Sequence, residues 1–385
     1  MRSFAKEVRS KLPDTETSVF AVMTQLADEH GAINLSQGFP DFEVSPVLID
    51  LVAKHMRAGN NQYAPMPGVM SLRESIAEKT ERLYGATYHP EKEITVTAGA
   101  TQAIFAAISA FIGKGDEAIV FEPAYDSYVP TIKLNGGVPV PCKMRAPDFS
   151  IDWEEVRERM SPRTKMVIIN TPHNPSGSIL DTRDMHVLQE LLADTSVIVL
   201  SDEVYEHLVF DGRRHESVCL YPSLAERSLV VCSFGKTFHA TGWKTGYCLC
   251  PAELMREFRK IHQFMVFCSN APVQHAIGDF LKDPANYEGL DEFFQAKRDD
   301  FVEALKDSRF SMTPSSGTYF QLLNFEAISD EDEMSFARRL TIEHGVASVP
   351  ISPFYSTPTD EHFLRFCFGK SQETLGRAAD ILRKV

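Results

Sequence analysis

The sequence lacks the long apolar run that a membrane-spanning helix needs. Its longest nearly continuous apolar stretch, residues 103–112, contains a serine and is far shorter than the roughly 20 residues that cross a bilayer. The first 13 residues (MRSFAKEVRSKLP) contain no apolar core of the kind found in a secretory signal peptide. Both absences argue against a membrane or secreted protein, and we expect a cytoplasmic one.

An excess of basic residues is also missing. The 385 residues include 39 Lys and Arg against 53 Asp and Glu, which gives a formal net charge of −14. Nucleic acids and acidic membrane surfaces attract proteins through clustered positive charge. The charge balance therefore argues against either as a partner. A hydrophobic share of 43% is typical of a globular chain, and a chain of this length can bury a large core.

The cysteines form no disulfide or metal-binding pattern. There is no C-x-x-C pair, and Cys248 and Cys250 fall inside an apolar, strand-like run. Disulfides are rare in cytosolic proteins, where a free cysteine behaves as a small buried hydrophobe. We therefore expect reduced core residues and no metal site. The cysteines concerned are Cys142, Cys219, Cys232, Cys248, Cys250, Cys268 and Cys367.

The sequence does contain short β-branched runs separated by helical segments. The runs occupy residues 93–97, 118–121, 166–170, 197–200, 229–232 and 246–250. Continuous apolar runs of this length indicate strands buried on both faces. The sequence thus predicts an α/β fold with a mostly parallel central sheet covered by helices. From about residue 285, long helices mix with isolated strands near 318–322 and 363–368, which predicts a smaller α+β domain.

Polar residues follow the predicted strands directly, at the edge where α/β sheets bind ligands. Lys236 follows one strand in S-F-G-K. Most lysines on turns are solvated, but partial desolvation here would lower the pKa of the amine and favour imine formation. Asp202 ends VIVLSD and either caps the next segment or pairs with a ligand cation such as a protonated ring nitrogen. Tyr205 is either a core aromatic or a phenol beside that same ligand.

A second group of residues could bind anions. The junction at 98–101 (AGAT) would aim backbone N–H groups of a helix N-terminus at a phosphate, although it is neither a GxGxxG nor a Walker A loop. Ser233 and Lys244 flank the Lys236 turn and could add a hydroxyl and a charge to that phosphate. Arg365 lies inside an apolar strand (FLRFCF), so a carboxylate partner is implied, from Asp, Glu or a ligand.

Asn174 completes the set of candidates. It lies in the loop 170–177 (NTPHNPSG), whose turn residues usually indicate only a loop. At this edge of the sheet, however, its amide could donate to a ring oxygen or a carboxylate. The combined set matches pyridoxal phosphate. Asp202 would keep the ring nitrogen protonated, and Tyr205 and Asn174 would hold the ring oxygen. Lys236 would move the proton at the substrate α-carbon, and Arg365 would bind the substrate carboxylate.

Several motifs resemble those of the fold-type I aminotransferases. The sequence is similar to the bacterial methionine aminotransferases within that group, which are related to the kynurenine–oxoglutarate transaminases. The similarity extends from about residue 19 to the C-terminus. The motifs are S-Q-G-F-P-D-F (36–42), N-Q-Y-A-P-M-P-G (61–68), T-V-T-A-G-A-T (95–101), D-S-Y (126–128), N-x-P-x-N-P-x-G (170–177), S-D-E-V-Y (201–205) and S-F-G-K-T-F-H-A-T-G-W-K (233–244).

The resemblance implies further roles. It implies a homodimer with a shared active site, in which Tyr63 of one subunit reaches the cofactor phosphate of the other. It also implies that Tyr125 stacks on the pyridine ring, that Ala100 and Thr101 bind the phosphate, and that the Gly38 N–H lies near the substrate carboxylate. Many related enzymes have arginine at the position of Lys244, which puts the phosphate geometry in doubt.

The resemblance also implies a division of the chain into two domains. The large cofactor-binding domain would comprise residues 44–282. The small domain would combine an N-terminal arm, residues 1–43, with the C-terminal residues 283–385, so that it is discontinuous in sequence.

The implied activity is transfer of the amino group of a neutral L-amino acid to a 2-oxo acid by ping-pong chemistry. Methionine is favoured and aromatic residues are plausible, because the stretch 262–270 (HQFMVFCSN) offers Phe264, Met265 and Phe267 but no arginine. A carbon–sulfur β-lyase is the alternative, since related lyases share nearly every cofactor ligand. A non-catalytic regulator is disfavoured by the complete set of cofactor ligands, and an NAD-dependent oxidoreductase by the missing glycine fingerprint.

Overall fold

The computed structural model describes residues 8–385, arranged as helices around three sheets. The strands are β1 (Ile33–Asn34), β2 (Ile94–Thr97), β3 (Glu117–Glu122), β4 (Val138–Lys143), β5 (Thr164–Asn170), β6 (Ile198–Asp202), β7 (Ser228–Ser233), β8 (Gly246–Leu249), β9 (Phe320–Asn324), β10 (Val346–Ala347), β11 (Val349–Pro350) and β12 (Phe363–Cys367).

The helices surround these strands and connect most of them. They are α1 (Val19–His30), α2 (Pro46–Arg57), α3 (Met70–Tyr84), α4 (Ala100–Phe111), α5 (Tyr128–Leu134), α6 (Trp153–Arg159), α7 (Thr182–Leu192), α8 (Pro222–Ala225), α9 (Phe234–Thr237), α10 (Ala252–Met265), α11 (Ala271–Phe280), α12 (Leu290–Leu305), α13 (Glu333–Arg339) and α14 (Gln372–Leu382).

The central sheet has seven strands in the order β2-β8-β7-β6-β5-β3-β4. Only β8 runs antiparallel to its neighbours within this sheet, so the prediction of a mostly parallel sheet is confirmed. In β3, Ile119 and Phe121 join the apolar cluster on one face, while Ala118 and Val120 join the cluster on the other. Burial on both faces explains why the strands appear in the sequence as unbroken apolar runs.

Each of the six predicted strands is present, with ends shifted by up to two residues, but β4 was missed. Its sequence, VPVPCK, contains two prolines, and it forms one edge of the central sheet with Val138 45% exposed. Proline has no backbone N–H to donate to a neighbouring strand. An inner strand forms hydrogen bonds with neighbours on both sides, so proline is confined to edge strands. The same prolines that suit β4 to the edge remove its strand signal from the sequence.

Two smaller sheets bring the chain ends together. β1 pairs in parallel with β10, joining Ile33 to Val346. The antiparallel sheet β11-β12-β9 places Arg365 opposite Val349 on one side and Leu322 on the other. The pairing of β1 with β10 supports grouping the N-terminal segment with the C-terminal third, while the domain boundaries at residues 43/44 and 282/283 stay a prediction.

The seven cysteines are unpaired in this structure. Six are buried, but Cys268 is only partly buried, so the prediction of a core position is wrong for that residue. It follows the C-terminal end of α10, where the chain leaves the helix at the protein surface. Within residues 8–385, no helix is long and apolar enough to span a membrane, and no cluster of three or more His, Cys, Asp or Glu side chains is arranged to hold a metal ion.

Candidate active site

A cavity of about 160 Å³ lies at the carboxyl ends of the parallel strands. The strand-to-helix junctions after β2, β5, β6 and β7 supply most of its wall. Nine of the residues singled out from the sequence line this cavity: Ala100, Thr101, Tyr125, Asn174, Asp202, Tyr205, Ser233, Lys236 and Lys244. Gly38 and Arg365 each contact one of these nine, whereas Tyr63 lies elsewhere.

Asp202 is the last residue of β6 and is 3% exposed. Its two carboxylate oxygens accept hydrogen bonds from the Tyr128 hydroxyl (2.6 Å) and from the Val204 N–H (3.3 Å). Both of these partners are neutral. Burial therefore raises the pKa of Asp202 to about 6, despite the opposing effect of the hydrogen bond from Tyr128. A carboxylate held in this way is suited to pairing with a cation that enters the cavity.

Asn174 is held by the strand that precedes it. The Asn170 side chain accepts a hydrogen bond from the Asn174 N–H (2.8 Å) and donates one to the Asp202 carbonyl (2.9 Å). Asn170 and Asp202 are also directly opposite each other in the pairing of β5 with β6. The sheet register thus fixes the position of the Asn174 loop relative to Asp202.

Arg365 on β12 lies behind Asn174 and is 1% exposed. Its Nη1 donates to Asn174 Oδ1 (2.6 Å) and its Nη2 to the Ser36 carbonyl (3.0 Å), but its buried Nε has no partner among residues 8–385. The guanidinium carbon is 3.9 Å from the centroid of the Phe320 ring. Burial lowers the pKa of Arg365 to about 10, so the group is still charged at neutral pH. The carboxylate partner that the sequence implied is not an Asp or Glu of residues 8–385 within ion-pair distance, which leaves the guanidinium for a ligand.

Lys236 is on the short helix α9, directly after β7. Its Nζ donates to the Gly38 carbonyl (3.0 Å) and to the Tyr319 hydroxyl oxygen (2.9 Å). Burial lowers the pKa of Lys236 to about 8, the direction that the sequence predicted for an imine-forming amine. Gly38 thus contributes its carbonyl oxygen to the site, and the role expected for its N–H stays a prediction.

The N-terminus of α4 forms a cradle for an anion. Gly99 precedes the helix with a φ of +80°, which favours glycine, and a Cβ at this position would lie 3.6 Å from the Lys244 Nζ. The first N–H groups of a helix have no partner within the helix and carry partial positive charge. Thr101 and Ser233 add hydroxyl groups to the same cavity. Backbone dipoles, one ammonium group and two hydroxyls therefore converge where the sequence predicted a phosphate.

The three aromatic candidates lie in different places, two at the cavity and one away from it. The Tyr125 hydroxyl is 3.2 Å from the Thr101 hydroxyl, and its ring meets that of Tyr128 edge to face. Tyr205 is 2% exposed and packs edge to face on Tyr319. Tyr63, by contrast, is 85% exposed and packs on Phe267 at a separate surface depression. A single chain does not bring Tyr63 to the cavity.

Several residues that contact the site were missed by reasoning from the sequence, among them Ser36, Tyr128, Asn170 and Tyr319. Three of them belong to the motifs at 36–42, 126–128 and 170–177, so their location was signalled even though their roles were not. Tyr319 belongs to no quoted motif, and no feature of its sequence distinguishes it from a core tyrosine.

The donor set fits pyridoxal phosphate. A buried carboxylate without a cationic partner suits a protonated ring nitrogen, the α4 cradle suits a phosphate, and the unpaired Arg365 Nε suits a carboxylate. Lys236 supplies an amine of lowered pKa between them. The site is therefore arranged for an anionic aromatic cofactor and an amino acid.

Comparison with known proteins agrees with this chemistry. The family model for aminotransferase class I and II matches residues 30–382. Methionine aminotransferase of Escherichia coli K12 is 48% identical over 98% of both chains. The probable N-succinyldiaminopimelate aminotransferase DapC of Mycobacterium tuberculosis is 36% identical over 96% of both. The solved structure of E. coli YbdL, reported with a methionine aminotransferase function, matches with a TM-score of 0.97 and 47% identity, covering 99% of this chain and 100% of that one.

The chain belongs to the class I and II aminotransferase family. It is an aminotransferase of fold type I, and its cofactor is pyridoxal 5′-phosphate, so the expectations of fold class, enzyme class and cofactor are confirmed. None of the three relatives described above is a lyase.

Proposed function

We propose that this aminotransferase uses a neutral L-amino acid, methionine first, as its amino donor, with aromatic amino acids as secondary donors. The observation that carries the proposal is the charge of the cavity wall. Its lining residues include only two cationic side chains, Lys236 and Lys244, and both are assigned to the cofactor. A dicarboxylic donor would need a further cation for its side-chain carboxylate, whereas a thioether needs none. The 48% identity to E. coli methionine aminotransferase supports the same donor.

The proposed roles rest on the geometry of the cavity together with the family resemblance. When bound, pyridoxal phosphate supplies an aldehyde that captures an amine and a protonated ring that accepts the electrons released at the substrate α-carbon. Asp202 would pair with the ring nitrogen, and Tyr205 and Asn174 would hold the ring oxygen. Ala100, Thr101, Ser233 and Lys244 would bind the phosphate, and Tyr125 would stack on the ring.

Lys236 is the residue assigned to proton transfer. Once freed by the incoming substrate, its Nζ would take the proton from the substrate α-carbon and return it to the cofactor carbon as a general acid. A lysine of pKa about 8 is partly neutral at physiological pH, so its amine can accept that proton. Arg365 would hold the substrate carboxylate and so orient the α-carbon bond that breaks.

The experiment that tests the donor mixes purified protein with methionine and a 2-oxo acid and follows 4-methylthio-2-oxobutanoate. We expect a kcat/KM for methionine at least about tenfold above that for aspartate, which corresponds to about 1.4 kcal/mol of discrimination. Comparable values for the two amino acids would contradict a neutral-donor site. Release of pyruvate and ammonia from cystathionine without a 2-oxo acid would instead support the β-lyase alternative.

We also propose a homodimer with a shared site. Seven of the thirteen large apolar side chains that are exposed lie at residues 47–70 and 264–267, including Tyr63 at 85% and Phe264 at 88% exposure. Apolar side chains concentrated in this way indicate a surface that another chain covers. The resemblance assigns Tyr63 to the partner's phosphate, which accounts for its position away from the cavity of its own chain. A cytoplasmic location is proposed as well, and seven unpaired cysteines favour it.

Mixed dimers test the shared site directly. In a dimer of one Lys236→Ala chain and one Tyr63→Ala chain, the proposal gives one site with both Lys236 and the partner's Tyr63. We expect the mixture to recover activity well above either variant alone, after unfolding and joint refolding. A mixture no more active than the Tyr63→Ala protein would contradict the shared site, and sedimentation of the unmixed proteins controls for dimer formation.

A further inference from the structure

The hydroxyl of Tyr319 contacts the reactive amine without belonging to any of the predicted cofactor ligands. Tyr319 directly precedes β9 and is fully buried. Its Oη donates to the Gly38 carbonyl (2.6 Å) and accepts from the Lys236 Nζ (2.9 Å). Lys236 Nζ also donates to the same carbonyl (3.0 Å). Amine, phenol and carbonyl thus form a closed triangle of hydrogen bonds.

The phenol ring is held on several sides. It packs on Tyr205 and Phe320 at centroid distances of 5.1 and 5.0 Å, and on Phe294 at 5.8 Å. Gly369 leaves no room behind it, since a Cβ there would lie 3.3 Å from the ring. Close packing fixes the ring and therefore its hydroxyl. The hydroxyl thus determines where the amine of the flexible Lys236 side chain lies.

The triangle determines what the amine presents to the cavity. A neutral amine has two hydrogens and one lone pair, and both hydrogens are accounted for by Tyr319 Oη and the Gly38 carbonyl. The lone pair occupies the remaining tetrahedral position of Nζ. Lys236 is itself one of the residues that line the cavity. A base must point its lone pair at the proton that it removes, so this arrangement prepares Lys236 for proton transfer.

We propose that Tyr319 is a positioning residue, which holds the free amine of Lys236 against Gly38 with its lone pair toward the substrate whenever the lysine is not bonded to the cofactor. The proposal rests on the proposed role of Lys236 as the base. It also links the amine to the loop containing Ser36 and Gly38, because the Ser36 carbonyl binds Arg365 and the Gly38 carbonyl binds both Tyr319 and Lys236.

Other charged or titratable groups also face the amine. They are Asp202 on β6, Lys244, Arg365 and Cys367 on β12, and the phenol of Tyr205, whose ring centroid lies 5.6 Å from Nζ. A Tyr319→Phe substitution leaves these groups in place and removes one acceptor of the amine, together with the hydrogen bond that Tyr319 donates to the Gly38 carbonyl. Because Tyr319 Oη presents a lone pair to the amine, its loss disfavours the protonated amine, and the pKa of Lys236 should fall.

The test uses the full-length protein stripped of cofactor, so that the amine is free. Trace acetylation with acetic anhydride across pH 6 to 10, quantified at Lys236 by mass spectrometry, gives the midpoint of its titration. We expect the Tyr319→Phe midpoint to lie about 0.5–1 pH unit below that of the native protein, which makes labelling at pH 7 roughly 3- to 5-fold faster. An unchanged midpoint in a folded variant would overturn the proposal.

Tyr88→Phe is the matched control. Tyr88 is a buried tyrosine that contacts Cys219 Sγ at 3.6 Å, outside the cavity wall, and its loss should leave the Lys236 midpoint unchanged. If Tyr319→Phe fails to fold, 3-fluorotyrosine at position 319 keeps the ring and weakens the oxygen as an acceptor. A smaller shift in the same direction supports the proposal, and no shift in that protein overturns it.

Kinetics of the loaded enzyme give a second readout. With α-deuterated methionine, Tyr319→Phe should lower kcat about 5- to 10-fold, leave KM within about twofold, and raise the isotope effect on kcat, because proton transfer becomes slower. A rise in KM alone contradicts a positioning role. If methionine is not turned over, the proposed donor is wrong, but the labelling midpoint still decides the role of Tyr319.

Discussion

The two walls of the site are built in different ways. The cofactor wall consists of residues at or just after the ends of β2, β5, β6 and β7, such as Asp202 and Lys236. The substrate wall is assembled from segments far apart in sequence: the loop with Ser36 and Gly38, Tyr319 before β9, and Arg365 on β12. The cofactor wall is therefore formed by one edge of a single sheet, whereas the substrate wall forms only when three distant segments pack together.

This difference indicates a division of labour. Changes on the cofactor wall should act on cofactor binding and on kcat, because the groups there are the ones proposed to bind the ring and the phosphate and to move the proton. On the substrate wall, changes at Arg365 should act on KM for the amino acid and leave the cofactor bound, whereas changes at Tyr319, which contacts the Lys236 amine, should act on kcat. The variants below test that separation, from the largest expected effect to the smallest.

Lys236→Ala should have the largest effect, since it removes both the covalent attachment of the cofactor and the base. We expect turnover to fall at least about 10⁴-fold, the upper range for loss of a general base. The visible absorbance band of the bound cofactor that borohydride removes should also be lost. Measurable turnover near the native rate in this variant would rule out the assigned mechanism.

Asp202→Asn should have the second-largest effect on turnover. It replaces a buried carboxylate with a neutral amide of the same shape, so the ring nitrogen loses its counter-charge. We expect kcat to fall about 10²- to 10³-fold, as for removal of one preorganised electrostatic group. Tyr128→Phe, which removes only the hydrogen bond to that carboxylate, is the graded control and should cost much less. Equal losses in the two variants would show that the charge itself is not what matters.

The same substitution should affect stability in the opposite direction when cofactor is absent. Because burial raises the pKa of Asp202 to about 6, the folded chain binds a proton there more tightly than the unfolded chain does. This tighter proton binding stabilises the folded chain in full below about pH 4, and the stabilisation is lost as the pH rises through 6. Cofactor-free Asp202→Asn should therefore exceed the native chain in free energy of unfolding by about 1–3 kcal/mol at pH 8, and by less at pH 4. Urea titrations at both pH values measure the difference.

Arg365→Lys tests the substrate wall. Lysine keeps the charge but loses the planar group that reaches Asn174, the Ser36 carbonyl and a carboxylate together. We expect KM for methionine to rise about 10- to 100-fold with the cofactor still bound, as its absorbance spectrum will show. Loss of the cofactor band in this variant would contradict the separation of the two walls.

Lys244→Arg should have the smallest effect. It supplies the bidentate phosphate contact found in many related enzymes, while the α4 N-terminus continues to provide most of the cradle. We expect the cofactor dissociation constant to change about two- to threefold, with kcat and KM unaltered. Fluorescence titration of the cofactor-free protein measures this constant. A change in KM for methionine would show that Lys244 reaches the substrate side.

The sequence predicted one wall much better than the other. Asp202, Asn174 and Lys236 could be found because each follows an apolar strand, and the topology of a parallel sheet places strand ends together. Tyr319 and Ser36 could not be found in this way. Tyr319 contacts the Lys236 amine across 83 residues of chain and Ser36 contacts Arg365 across 329, and no local pattern encodes such a contact. Arg365 was the exception because a charged residue in an apolar strand needs a partner.

The pairing of β1 with β10 has a consequence for how the protein matures. Residues 33–34 pair with residues 346–347, whereas the central sheet is complete at Leu249. A chain emerging from the ribosome folds its completed units first. All seven strands of the central sheet are thus made before the last 130 or so residues, which include α10, the helix that packs on α4 over one face of that sheet. The N-terminal segment must remain unpaired until Val346 emerges. Arg365 and Tyr319, which contact Asn174 and Lys236, are therefore among the last parts of the site to be synthesised.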